Sequence, residues 1–358
     1  MSAACNSDCP KQPLSPIANM SNFTQGLIRL VQFANRFNTP SSSKQFCKPF
    51  FIEDKHVGFI RPDVLQFVKE HPDVFDLHHN SQTGDIIKVQ LSLELKTFEQ
   101  RTEKLTAVLQ QWREEDEDLI SLAGWRDETH NVYRKFSEPP LMKMERSATC
   151  LFGLKQYGVH INAFTHRENE GMCMWIAKRS KTKQTWPGKL DQMVAGGMAS
   201  GQTIMECARQ ECKEEASVPD DLIAKLKPCG TVSYFYEDER GLFPECQFVM
   251  DLEVPEDFKP VNADGEAESF QLLPIEKVSY LLNWSNNIND NGLKIVCEKR
   301  LFVVVLIRIE VKKLMITDDF KFNCAIVILD FLIRHSLILP DDEPFYTYLM
   351  ESIHVTLH

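Results

Sequence analysis

Glu211, Glu214 and Glu215 stand at spacings i, i+3 and i+4 within the stretch Gly196 to Val218, which reads GGMASGQTIMECARQECKEEASV. Residues at those offsets share one side of a helix. Three carboxylates on one arc repel one another by about 4 kcal/mol per pair at ~4 Å and an effective dielectric of about 20. A hard divalent cation turns that repulsion into attraction, because Mg²⁺ prefers oxygen donors and binds through one or two carboxylates together with substrate phosphates. The chemistry suggested is metal-assisted attack on a diphosphate. The run also has an ordinary explanation, since an E-x-x-E-E sequence on an amphipathic helix most often faces water. Met205, Ala208, Cys212 and Ala216 supply the apolar stripe that such a helix buries.

A second chemical signal lies just upstream. Lys178 to Lys189 holds five cations in twelve residues, in a chain whose formal net charge is −11. Arg179, Lys181 and Lys183 are candidates to receive a diphosphate, since guanidinium and ammonium groups pair strongly with phosphate oxygens. A solvated hairpin turn is the commoner reason for such a run. Trp186, Phe235 or Tyr234 could stack on a heteroaromatic ring, although aromatic residues at strand ends are more often core.

The Gly196–Val218 stretch resembles the signature box of the Nudix hydrolases, G-x5-E-x7-R-E-U-x-E-E-x-G-U with U aliphatic. Aligned from its Glu-rich end, the box falls on Gly196, Gln202, Gln210, Glu211, Cys212, Glu214, Glu215, Ser217 and Val218. Gln202 stands where the box has Glu, Gln210 where it has Arg, and Ser217 where it has Gly. These departures bear on the catalytic rate more than on the fold. The string KRSKTKQTWPGKLDQ is also close to the family's pattern ahead of the box. Leu122 to Tyr133 (LAGWRDETHNVY), Pro139-Pro140-Leu141 and Met144-Glu145-Arg146 resemble a further unit. It is the N-terminal domain of unknown function ahead of the Nudix domain in thiamin-pyrophosphokinase-related Nudix proteins.

The resemblance implies an α/β (α+β) chain, a Nudix α/β/α sandwich with a mixed sheet preceded by a smaller α+β domain. It implies Mg²⁺ (or Mn²⁺) held by Glu211, Glu214, Glu215 and a main-chain carbonyl near Gly196. Glu211 or Glu268 would accept the water proton, with Glu266 the second choice in the same loop. Arg179, Lys181 or Lys183 would neutralise charge on the leaving phosphate, and Trp186 would line the substrate. The implied activity is a pyrophosphatase hydrolysing an organic diphosphate to a monophosphate. Its substrate would be a small molecule, either a thiamin diphosphate analogue or a nucleoside diphosphate derivative. Gln202 and Gln210 favour an alternative, a non-catalytic module that binds a diphosphate. A thiamin pyrophosphokinase is suggested only by the relatives' name, and no G-x4-G-K-[ST] nucleotide cradle is present. Restoring Gln202→Glu is expected to raise metal affinity.

Composition sets wider bounds. A hydrophobic content of 43% and a charged content of 25% are those of an ordinary globular chain. The acidic balance argues against general affinity for nucleic acid. No apolar run is long enough to span a membrane, the longest candidate, Leu301 to Ile309, being strand-sized. The 11 cysteines are scattered without zinc or redox spacing and read as reduced, buried thiols. A cytoplasmic location is expected. The serine-rich, acid-poor start also suits a mitochondrial or other organelle transit peptide.

The elements that must position these residues follow from periodicity. Residues 1–20 read as a disordered tail and 21–148 as an N-terminal α+β domain. Within it, Phe23, Leu27, Leu30, Val31, Ala34 and Phe37 predict a helix packing on the domain that follows. Pro49–Ile52 and Val57–Ile60 predict strands, Pro62 opens a helix, Ile86–Leu95 alternates like a strand, and Thr97–Glu115 predicts a long helix. Residues 149–345 read as the Nudix domain. Its expected strands are Val159–Phe164, Met172–Lys178, Cys229–Tyr236 and Glu245–Val254, with Gly241 and Pro244 breaking the chain between the last two. Cys324–His335 predicts a buried helix. Residues 286–313 read as an insertion with few contacts to the box helix, and 346–358 as a C-terminal tail.

Overall fold

Alternation and capping residues decide the local structure. In a computed structural model describing residues 20–276 and 310–358, Ser21 caps α1 (Asn22–Ala34), and a hairpin of β1 (Lys48–Ile52) and β2 (Lys55–Ile60) follows. Then come α2 (Pro62–Lys69), β3 (Phe75–His79), β4 (Ile86–Leu91) and α3 (Phe98–Glu115). Thr97 and Gln100 close a capping box on α3, satisfying two otherwise unpaired donors. The strands form a mixed sheet in the order β2-β1-β4-β3, in which only β1 and β4 run parallel. Trp112 of α3 stacks on Phe152 at 6.1 Å inside this first core.

A small hairpin, β5 (Thr129–Val132) and β6 (Met142–Glu145), leads into a 3-10 turn, Arg146–Phe152. The second sheet is built from β7 (Gln156–Arg167), β8 (Gly171–Arg179), β9 (Leu190–Gln192), β10 (Val194–Gly197), β11 (Lys227–Asp238), β12 (Gly241–Glu253) and β13 (Ala267–Pro274). Its main path is β11-β12-β7-β8-β13. β10 adds to the first half of β7 and β9 to β8. Only β12 and β7 are parallel, so the sheet is mixed.

Helices cover both faces of this sheet. On one face α4 (Ile204–Ala216) buries Cys207, Ala208, Cys212 and Ala216 against Val159, Ile161 and Ala163, joined by the short α5 (Asp220–Ile223). On the other face lie the short α6 (Val311–Leu314), α7 (Phe322–Arg334) and α8 (Tyr346–Ser352). The period-two alternation of β7 sends Phe164 to this second core and its odd-numbered neighbours to the first. The result is an α/β/α sandwich preceded by a smaller sheet-and-helix unit.

Several expectations change. α1 packs on α7, α8 and β11 within the second unit's core. It does not pack on the β1–β4 sheet, because its apolar face matches the C-terminal helices. Gly241 opens β12 and Pro244 lies inside it, opposite Phe235, so neither breaks the hairpin. Residues 346–358 are not a loose tail: α8 forms there, Ile353 is buried, and Ser233 binds the backbone of Val355. Residues 1–19 and 277–309 lie outside the described residues, so the tail and most of 286–313 go with them. The remaining part, Val311 to Lys313, is helical, with Val311 buried.

Candidate active site

The box helix begins with a second capping box, Thr203 with Glu206, and ends at Ser217 in the left-handed region, φ 48°. Gly is the usual residue at such a C-terminal cap. Ser217 therefore carries a strain that the family's Gly avoids. The cap fixes the phase of α4, and this phase divides the three glutamates. Glu215 turns inward, and its Oε2 accepts from the Ala195 N–H at 2.9 Å. Glu211 lies beside Gly196, where a side-chain Cβ would overlap its carboxyl group. Glu214 turns outward and accepts from Gln210 Nε2 at 3.0 Å. Gln210 in turn accepts from Gln202 Nε2 at 2.7 Å. The two substituted box positions thus form one hydrogen-bonded row on the exposed side, and that row holds Glu214 away from the half-buried pair Glu211 and Glu215.

Burial, then the charge of Glu214, raises the Glu211 carboxyl to about 7. Burial, then Glu211, pushes the Glu215 carboxyl well above its ordinary range. Two partly stranded carboxyls and a glycine carbonyl offer hard oxygen donors. This set fits a divalent cation that keeps some of its own water. Among the described residues no three His, Cys, Asp or Glu side chains converge into a ready-made metal cage. The fit therefore rests on the half-buried pair, with Glu214 the donor that must first leave Gln210. Replacing Gly196 by Ala is expected to displace Glu211 and weaken Mn²⁺ binding by about 10- to 100-fold, the range seen when the support of a metal ligand is removed. Titration by paramagnetic resonance reads this, and an unchanged affinity would remove Gly196 from the site.

In front of the Ala195–Gly197 edge lies a cleft of 510 Å³. Its walls include Trp186, Tyr236, Phe243, Glu245 and Gln247 from the second unit, and Arg126, His130 and Arg146 from the first. The basic loop is placed differently from the expectation. Arg179 donates to Asp191 Oδ2 at 2.7 Å and to the carbonyls of Thr185 and Trp186, so it braces the loop and is not free for phosphate. Burial would raise the Asp191 carboxyl, but Lys321 and Arg179 outweigh it and hold Asp191 ionised. Lys183 is paired with Glu266, and Lys181 is exposed. Trp186 does reach the cleft, packed edge-on against Phe322 at 5.6 Å. Tyr234 is fully buried with its hydroxyl on Glu245, and Phe235 stacks on Phe37, so neither offers a stacking face.

Both loop glutamates are ion-paired, Glu266 with Lys183 and Glu268 with Lys178 at 3.2 Å. The charge of Glu266 bears on both Glu211 and Glu215. Glu268 sits in the β-bulge between Ala267 and Ser269 at the start of β13. Sequence reasoning missed Arg126 and Arg146. They belong to the LAGWRDETHNVY and MER strings, but nothing in the spacing of those strings says that they face a cleft in another unit.

Residues 156–292 match the NUDIX domain family, and residues 29–156 match a domain of unknown function, DUF4743. "Nudix hydrolase 20, chloroplastic" of Arabidopsis thaliana is 34% identical over 309 residues, covering 86% of this chain and 73% of the relative. "Nudix hydrolase 24, chloroplastic" of the same plant is 33% identical, covering 82% and 69%. A crystal structure from Deinococcus radiodurans matches at 25% identity, covering 33% of this chain and 66% of that one, with a TM-score of 0.26. With relatives matched over 86% and 82% of the chain, a matching domain model, and Glu211 seated against Gly196, the chain belongs to the Nudix hydrolase family.

Proposed function

We propose that the chain hydrolyses an organic diphosphate to a monophosphate with Mg²⁺ or Mn²⁺ as cofactor. The observation that carries this reading is the pair Glu211 and Glu215, half-buried behind a glycine edge that borders a cleft. Glu211, Glu215 and the Gly196 carbonyl would hold the metal, and Glu214 would join them. The ion supplies Lewis acidity at a phosphoryl oxygen and charge to offset the leaving phosphate. Glu211 is the residue assigned to take the water proton, because it lies beside the Gly196 edge that borders the cleft and is ionised with a metal bound, as a base must be. Glu266 is preferred to Glu268 as the supporting loop carboxylate. In the balanced reaction a water oxygen attacks one phosphorus, the bridging P–O bond breaks, and both products leave as phosphates.

The substrate's organic part is assigned to Trp186, the half-buried aromatic residue on the cleft wall, since Tyr236 and Phe243 are buried and stack on each other at 4.6 Å. An aromatic face suits a nucleoside or a thiamin-like heterocycle equally. The chloroplastic designation of the two plant relatives favours an organellar setting over a cytoplasmic one. Imaging the full chain fused to a fluorescent protein tests that choice. Among the described residues no helix is long and apolar enough to cross a membrane.

Purified full-length protein with Mg²⁺ should be offered thiamin diphosphate, its oxidised analogues, ADP-ribose and NADH, with phosphate products measured. Release of a monophosphate supports the proposal. The row Gln202–Gln210–Glu214 favours a second reading, a binding module, since it withdraws one carboxylate from the site. Tight ligand binding without turnover of any substrate would replace hydrolysis by that reading.

A further inference from the structure

The cations that border the cleft are not equally available. Lys321 is paired with Asp191 at 3.2 Å, and Arg240 is paired with Asp238. Arg146 leans on Glu128 at 3.0 Å but also lies against the glycine edge, its Cζ 3.3 Å from where a Gly197 side chain would begin. Arg126 has no carboxylate within ion-pair distance among the described residues, and its Nη2 donates only to Gln184 Oε1 at 3.1 Å. The two cations facing the open edge therefore come from the first unit, whereas those contributed by the second are tied to buried acids.

Their placement is built into the fold. Buried Glu145 accepts from the backbone N–H of Arg126 at 3.1 Å and from that of Ser147 at 3.3 Å. One carboxylate thus fixes the chain on either side of the β5–β6 hairpin and aims both guanidinium groups into the same space. Thr129 then docks the hairpin on the loop after β10, its carbonyl accepting from Ser200 N at 2.7 Å. Buried His130, between them, has an Nδ1 with no partner among the described residues. Its Nε2 faces Glu128, so the anion-receiving part of the wall is the two guanidinium groups, which suit an anion and offer little to a neutral ligand.

We propose that the first unit is part of the diphosphate site, with Arg126 and Arg146 forming the anion-receiving wall opposite the Gly196–Gly197 edge. This deepens the hydrolase reading and rests on it for the identity of the anion as a diphosphate ester. The second unit then carries the acids that hold metal, and the first carries the cations that hold substrate. Neither set completes the site alone.

The test uses the full chain, with two readouts. Turnover of whichever diphosphate the wild type hydrolyses gives KM and kcat, and calorimetry with inorganic pyrophosphate gives anion affinity without turnover. Arg126→Ala is expected to raise KM and weaken pyrophosphate binding by about ten- to a hundredfold, the range of a charge-assisted hydrogen bond, with kcat and melting temperature little changed. Arg126→Lys restores part of the loss, because it keeps the charge but not the planar fork. Arg146→Lys is expected to weaken binding similarly, its fold checked by melting because Glu128 shares the group. An active wild type whose Arg126→Ala variant keeps its KM and pyrophosphate affinity overturns this proposal and leaves hydrolysis standing. A wild type that binds pyrophosphate through Arg126 yet hydrolyses nothing overturns hydrolysis and leaves the anion wall standing. A wild type that neither binds pyrophosphate nor turns over overturns both.

Discussion

Converting Glu211 and Glu215 together to glutamine is expected to reduce kcat/KM by about a thousandfold or more. That is the scale of losing the several kcal/mol that a bound ion contributes to a transition state. The substitutions keep volume and hydrogen-bonding shape, so Ala195 still finds an acceptor and the fold survives. Glu214→Gln is expected to cost less than Glu215→Gln. Glu214 is exposed and spends its hydrogen bond on Gln210, whereas Glu215 is bonded to the backbone of the glycine edge. Steady-state kinetics with Mg²⁺ on the four proteins gives the ranking. Equal losses at Glu214 and Glu215 would mean that all three acids act as one cage. An unaffected double variant would end the assignment of the metal to this helix.

That ranking separates what the sequence made legible from what it did not. Spacing alone puts Glu211, Glu214 and Glu215 on one helix, and the stripe Ala208, Cys212 and Ala216 gives the face that the helix buries. Local signals of this kind survive folding because they depend only on the helical period. The division of the three acids between half-buried and exposed positions depends on where Gly196 crosses α4, a contact between distant segments. The same limit governs the cations. Arg179 is conspicuous in the sequence, but Asp191 on the neighbouring strand claims it. Arg126 and Arg146 are inconspicuous, and tertiary docking of the β5–β6 hairpin brings them to the cleft. Loop glutamates are hard to rank for a related reason, since each is claimed by a lysine that only folding brings near, Glu266 by Lys183 and Glu268 by Lys178. Individual strands of the second sheet and the strongly apolar α7 were readable from periodicity and composition, because burial leaves a local pattern, whereas the sandwich they form was implied only by the family resemblance.

Relative to the Glu211→Gln/Glu215→Gln variant, the metal-free protein is expected to lose stability as pH rises, and Mg²⁺ is expected to remove that difference. Buried His160 and His358, whose imidazoles folding holds below 6.5, make stability rise toward that pH in both proteins alike. Folding raises the Glu211 carboxyl from 4.5 to about 7 and raises Glu215 further, so the folded chain holds protons that the unfolded chain has released. Their contribution to stability is then fully present below the unfolded value of 4.5 and falls as pH passes through about 7, continuing beyond it for Glu215. For Glu211 the change is about 3 kcal/mol at most, from 1.36 kcal/mol per pH unit, and water in the cleft screens part of it. A divalent cation binds the ionised carboxylates, so its stabilisation grows over the same interval and opposes the decline. Thermal melting from about pH 5 to about pH 8, with chelator and with saturating Mg²⁺, measures both slopes. In chelator the wild type should fall relative to the double glutamine variant as pH rises, and the variant should gain nothing from Mg²⁺. If the wild type and that variant share one slope, the acids are not stranded as described, and the strain that a metal relieves lies elsewhere.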